Sequence, residues 1–222
     1  MNVLITGANR GLGLGFVKHY LSQGYDVWAC YRHEQTQLQA LYSDKLHLLQ
    51  WDVGSDDAPV GDLPDNIDLL INNAGIYGPS KGGQSLDEIT SDGMMEVFNI
   101  DCVGALRVVQ RLKSRVIAAQ GIIANISSKM GSSGDNSSGG TYAYRAAKAA
   151  LVIVSKSMAV DLAPDGVRVI TLHPGWVQTD MTHHSGLIDV DTSVKGMTDV
   201  IAHIHDYEVG QFVAFDGQIV PY

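Results

Sequence analysis

The stretch Val3-Leu4-Ile5-Thr6-Gly7-Ala8-Asn9-Arg10-Gly11-Leu12-Gly13-Leu14-Gly15 decides the fold. It opens as an apolar strand, Val3–Gly7, and runs straight into glycines. An amphipathic helix over Leu14–Gln23 follows and is stopped by Gly24. Gly7 permits a tight turn, while Gly11 and Gly13 let backbone and helix approach a pyrophosphate. The opening helix turns free N–H groups and its positive dipole end toward that anion. A glycine cluster alone marks an ordinary loop; strand, glycines and helix in that order mark a nucleotide site.

Working outward, strands alternate with helices. Further strands read at Asp26–Tyr31, Leu46–Val53, Ile67–Asn72, Gly121–Ser128, Arg168–His173 and Phe212–Asp216. A short helix reads at Glu34–Tyr42, and long ones at about Asp87–Val116 and Tyr142–Leu162. Alternating apolar strands and helices give the α/β class, with a parallel sheet covered on both faces. The expectation is a single Rossmann-type, doubly wound sheet of about seven parallel strands. A chain of 222 residues holds one such domain, residues 1–222, and is too short for two. Ligands then bind at the carboxyl ends of the strands. Between Val53 and Ile67 stand two glycines and two prolines (Gly54, Pro59, Gly61, Pro64), poor helix formers in a short crossover. The usual crossover helix should be absent there, leaving that face of the sheet thinly covered. Gly131–Gly140, rich in glycine and serine, reads as a mobile loop.

Composition narrows the function. With 15 Lys and Arg against 24 Asp and Glu, the formal charge is −9, which argues against nucleic acid and anionic membrane surfaces. No apolar run approaches the ~18–20 residues that span a bilayer, and Met1-Asn2-Val3 enters a strand at once. A cytoplasmic location is expected, and Cys30 and Cys102, in a strand and a helix, are not expected to pair. No metal site is expected: His183 and His184 are adjacent and His203 and His205 two apart, neither at helical spacing.

Further motifs fall in a telling order: Gly7-x-x-x-Gly11-x-Gly13; Asp52-Val53 after the third strand; Asn72-Asn73-Ala74-Gly75 after the fourth; Asn99 in the long helix; Ser128 ending the fifth strand; Tyr144-Arg145-Ala146-Ala147-Lys148; and Pro174-Gly175-Trp176-Val177-Gln178-Thr179. Over nearly its whole length the chain resembles the short-chain dehydrogenase/reductase family, and within it the branch of C-factor and Sniffer-like carbonyl reductases. The resemblance implies a cofactor site of Gly7, Asn9, Arg10, Gly11, Leu12, Gly13, Arg32, Asp52, Val53, Asn73, Ala74, Gly75, Tyr144, Lys148, Pro174, Gly175, Val177 and Thr179. It implies a catalytic set of Asn99, Ser128, Tyr144 and Lys148, with Asn99 tied to a proton-relaying water.

Two pairs of neighbours need separating. Tyr142 has Ala146 four residues on, whereas Tyr144 has Lys148, and that spacing puts both side chains on one helix face. Ser127 and Ser128 point to opposite sides of a strand; the family motif ends at the second, so Ser128 is catalytic and Ser127 structural. The implied reaction is NADPH-dependent reduction of a small carbonyl compound. Ser128 would bond the developing oxyanion and Tyr144 would deliver the proton. Bringing a phenol from about 10 to neutral pH takes roughly 4 kcal/mol, and the Lys148 ammonium has the right sign to supply it.

NADPH (with NADP as product) is expected over NADH. The segment Ala29-Cys30-Tyr31-Arg32 closes the second strand without a carboxylate, and Arg10 and Arg32 can meet a 2′-phosphate. That disfavours an NAD-dependent alcohol dehydrogenase. The rival reading is a C-factor-like signalling or cofactor-sensing protein of the same fold, against which the paired Tyr144 and Lys148 argue. Substrate walls fall to the loops Gly75–Gly83, Ser128–Thr141 and Trp176–Val190, and the short link Met181–Asp191 predicts an open site. The resemblance implies that a homodimer would form through the helices around Asn99 and Lys148, as in many relatives, although carbonyl reductases also include monomers.

Overall fold

The structure, a computed structural model, describes residues 1–222. Its seven strands are β1 (Asn2–Ile5), β2 (Asp26–Tyr31), β3 (Leu46–Gln50), β4 (Leu69–Asn72), β5 (Ile122–Ile126), β6 (Arg168–His173) and β7 (Phe212–Ala214). They form one sheet in the order β3-β2-β1-β4-β5-β6-β7, parallel at every pairing. The order reverses between β1 and β4, and the crevice at that switch point is where such sheets hold ligands. No helix is long and apolar enough to cross a membrane.

Strand alternation sends consecutive residues to opposite faces, and each face has its own core. Val3 and Ile5 face one side with Val27, Leu69 and Ile71; Leu4 faces the other with Leu70 and Ile123. The first side is covered by α1 (Gly11–Ser22), through Phe16, Val17 and Tyr20. Beside it lies α6 (Val190–Ala202), through Val194, Met197 and Ile201. The second side is covered by α4 (Gly104–Ala119), through Val108, Leu112 and Val116. With it packs α5 (Tyr142–Leu162), through Met158 and Leu162.

Several expectations are adjusted. The first helix starts at Gly11 rather than Leu14, so Gly11 and Gly13 lie inside its first turn while Gly7 stays in the turn before it. The helix expected over Glu34–Tyr42 is a single turn, α2 (Thr36–Gln39), with only Leu38 buried. The long helix expected from Asp87 begins later, as α3 (Ser91–Phe98), whose first turn is capped by the Thr90 side chain. It joins α4 through a π-helical turn, Asn99–Val103, closed by the Gly104 N–H on the Asn99 carbonyl. Such an inserted residue re-aims the side chains around it.

No helix stands between β3 and β4, as the prolines and glycines implied. The sheet face there is nonetheless covered. Val60 folds back on Gln50 with two backbone hydrogen bonds, 3.0 and 2.8 Å. The Trp28 indole donates to the Asp62 carbonyl at 3.0 Å and stacks on His47. A non-helical segment can shield an aromatic once one carbonyl satisfies its N–H. The Gly131–Gly140 loop is also fastened: Ser138 accepts from Arg145, and the Gly134 N–H reaches the Tyr222 carbonyl.

Candidate active site

The carboxyl ends of β1, β2 and β4 open into one cleft. Gly7 takes a left-handed conformation, φ 61°, and a Cβ there would lie 2.8 Å from the Ala74 Cα. At Gly13 a Cβ would collide with the Gly7 carbonyl. Both glycines are therefore required for the strand, the turn and α1 to pack this closely. Thr6 ties the turn to the next strand: its hydroxyl oxygen accepts the N–H groups of Asn73 (3.0 Å) and Ala74 (3.1 Å). The Asn73 amide returns two bonds to the carbonyls of Thr6 and Gly7.

No side chain caps α1, and the first amide bonded within it is that of Leu14, to the Arg10 carbonyl. The N–H groups of Gly11 and Leu12 stand at the cleft wall, a fitting cradle for a pyrophosphate. Arg10 and Arg32 rim the same cleft and are exposed. Arg10 lies 3.6 Å from Asp180, while Arg32 has no ion-pair partner. Asp52 lines the cleft and accepts the Gly54 N–H at 2.9 Å. Trp51 lines it too, buried and with its indole N–H unpartnered. These donors and cations fit a phosphorylated dinucleotide. Every cofactor position read from the sequence lines this cleft except Gly13, Gly175 and Val177.

Lys148 and Tyr144 rise into the same cleft from α5. Tyr144 is buried, whereas Tyr142 is 41% exposed, so the helix selects the tyrosine that has the lysine one turn on. The Ser128 hydroxyl accepts the Met130 N–H at 3.2 Å and stands near enough to the Tyr144 phenol to lower its pKa. Ser127 points the other way, donating to the Lys148 carbonyl at 2.9 Å. The Lys148 ammonium lies 5.5 Å from the Tyr144 ring centre and donates to the Ile126 carbonyl. Tyr77 packs on the other side of Tyr144, ring centres 5.1 Å apart.

Asp101 was not foreseen from the sequence. It is 1% exposed, its Oδ2 is 3.1 Å from the Lys148 Nζ, and its Oδ1 accepts the Ile76 N–H at 2.7 Å. Asn99, two residues earlier, spends its side chain elsewhere: it donates to the Gly54 carbonyl at 2.8 Å and accepts from Arg107 at 3.1 Å. Toward Lys148 the π-helical turn thus presents Asp101, while Asn99 holds the turn after β3. The available signal was a lone carboxylate among apolar neighbours in Asn99-Ile100-Asp101-Cys102-Val103.

The charges modify the expected chemistry. Burial pushes the Tyr144 phenol upward; Lys148 opposes this, and Asp101 adds to it, so the net shift is up. Burial would push Lys148 down, but Asp101 and Tyr144 together hold it above its ordinary value. Lysine alone therefore does not bring the phenol toward neutrality, because burial first, and then the Asp101 carboxylate, act against it.

The model of the short chain dehydrogenase family matches residues 1–187. The C-signal of Myxococcus xanthus is 38% identical over 159 residues, covering 70% of this chain and 93% of that protein. Among solved structures, carbonyl reductase Sniffer of D. melanogaster is similar with a TM-score of 0.89 and 28% identity, over 100% of this chain and 99% of that one. An NADPH-bound carbonyl reductase from chicken fatty liver superposes with a TM-score of 0.86 and 29% identity, over 100% and 98% of the two chains.

Proposed function

The chain belongs to the short-chain dehydrogenase family of nicotinamide-dependent oxidoreductases, and we propose that it is an NADPH-dependent reductase of a small carbonyl compound, an aldehyde, ketone or quinone. One observation carries the reading: Tyr144, with Ser128 and Lys148 against it, opens into the cleft that holds the uncapped start of α1. The bound cofactor would supply the hydride. Ser128 donates a hydrogen bond to the substrate oxygen as charge builds there. Tyr144 transfers its phenolic proton to that oxygen and recovers one afterwards from solvent. Lys148 would hold the nicotinamide ribose hydroxyls and balance the charge left on the phenol. Arg32 and Arg10 would pair with the 2′-phosphate, and the NADPH-bound chicken relative supports NADPH as the cofactor.

The test is a panel of aldehydes, ketones and quinones followed by loss of NADPH absorbance. Turnover of several related carbonyls is expected; tight NADPH binding with none turned over would overturn the reading. The likeness to the C-signal supports a second reading, a cell-signalling role on the same fold. A Tyr144→Phe chain that cannot reduce carbonyls but sustains the cellular phenotype would favour it.

A further inference from the structure

We propose that Asp101 is a positioning residue, which anchors the Lys148 ammonium and keeps Tyr144 protonated at neutral pH, fitting the site to reduction rather than oxidation. The inference rests on the reductase reading above and concerns the residue nearest Lys148 that no motif named.

Two contacts favour the ionised carboxylate against the cost of its burial. Burial raises the Asp101 carboxyl above its ordinary value, while the Lys148 ammonium 3.1 Å from Oδ2 and the Ile76 N–H bonded to Oδ1 at 2.7 Å both favour its ionised form. The contact is also enforced by space: a Cβ on Gly75 would lie 3.3 Å from both Asp101 oxygens and from the Lys148 Nζ. The carboxylate and ammonium are both buried, so their fields are weakly screened.

The groups facing the acid can be enumerated. Tyr144 meets Lys148 from its own helix, Asp101 from the π-helical turn, Tyr77 from the loop after β4, and Ser128 from the end of β5. Lys148 meets Asp101, Tyr144 and Cys102, whose thiol is held up at about 11 and stays neutral. Asp101 is therefore the only carboxylate acting on the pair. Alone, the ammonium would stabilise the phenolate, the form that accepts a proton in alcohol oxidation. With Asp101 beside it the pair is neutral, and the phenol keeps the proton that reduction consumes.

The experiment is the pH dependence of carbonyl reduction and of the reverse alcohol oxidation, in the NADPH-bound wild type and in Asp101→Asn, Asp101→Ala and Asp101→Glu. Removing the charge should move the alkaline limb of reduction and the acidic limb of oxidation to lower pH by roughly one to two units. Asp101→Glu should restore the wild-type profile. An unmoved or alkaline-shifted profile in folded Asp101→Asn overturns the proposal. Failure of both neutral variants to fold also overturns it, assigning Asp101 to the fold. Tyrosinate absorbance, read as the difference between each chain and its Tyr144→Phe counterpart, gives the same shift without turnover. An inactive wild type would thus sink the reductase reading while the phenol titration still judged Asp101.

Discussion

The side-chain carbonyl of Gln84 accepts a hydrogen bond from the backbone N–H of Tyr144, at 3.0 Å. Helix α5 has no cap of its own, because Thr141 precedes it in a left-handed conformation, φ 51°, without a side-chain bond. Gln84 substitutes from a distant loop. Its backbone carbonyl takes the Tyr142 N–H at 3.2 Å, and its amide nitrogen donates to the Tyr77 carbonyl at 2.9 Å. The loop that packs Tyr77 on Tyr144 and the helix that carries Tyr144 are thereby joined. Gln84→Ala should lower stability by about 1 kcal/mol, the value of a helix cap, and reduce turnover while sparing NADPH affinity. Thermal unfolding with steady-state kinetics checks this; unchanged values in both would contradict it.

Arg32 is the free cation at the cofactor cleft, whereas Arg10 already lies near Asp180. A charge-assisted contact of roughly 1.5–3 kcal/mol corresponds to about tenfold or more in affinity. Arg32→Ala should therefore raise the Kd for NADPH at least about tenfold and leave NADH nearly untouched. Arg10→Ala should act in the same direction and less strongly. Equal wild-type dissociation constants for the two cofactors, measured by fluorescence titration, would end the 2′-phosphate assignment.

Replacing Tyr144 by Phe deletes one hydroxyl at nearly constant volume. Fold and NADPH binding should survive, while turnover falls by the ~10²–10⁴ typical of a positioned proton donor. Ser128→Ala should keep binding and lose rate. Lys148→Ala should damage both and weaken the fold, since it leaves the buried Asp101 carboxylate without its ammonium. A Tyr144→Phe chain as fast as wild type would remove this residue from the chemistry.

His173 gives stability a pH dependence. Burial, then the nearby Lys129, lowers its imidazole from 6.5 to about 4. Its Nδ1 accepts the Lys129 N–H at 3.2 Å, which a proton there would forbid. The folded state thus binds fewer protons than the unfolded chain between those values. Stability should be fully present above about pH 6.5 and decline as pH falls toward about 4, by about 3 kcal/mol in all. Urea midpoints across that range measure it. His173→Asn, which keeps an acceptor for Lys129 but does not titrate, should remove this component; an unchanged slope would show the decline comes from elsewhere.

What could be read along the chain was whatever neighbouring residues decide among themselves. The glycine turn after β1, the tyrosine and lysine one helical turn apart, and the missing crossover helix each depend on a few consecutive positions. Element ends were less legible. Helix α1 begins at Gly11 because its first turn wraps closely on Gly7, a contact outside the amphipathic pattern that marked Leu14. The single turn of α2 likewise reflects that only Leu38 finds core to bury.

The sequence by itself determined a parallel α/β sheet and pointed to Ser128, Tyr144 and Lys148 as candidates at its carboxyl edge, since backbone geometry and hydrophobic period are local properties. Only the tertiary structure decided what surrounds that site. Asp101 reaches Lys148, Asn99 turns to Gly54, Gln84 caps α5 and His173 holds Lys129 because separate elements pack against one another. Buried polar groups must find partners wherever folding brings them, and burial magnifies each charge there. Candidate residues could therefore be named from one dimension, but the charges around them are set in three.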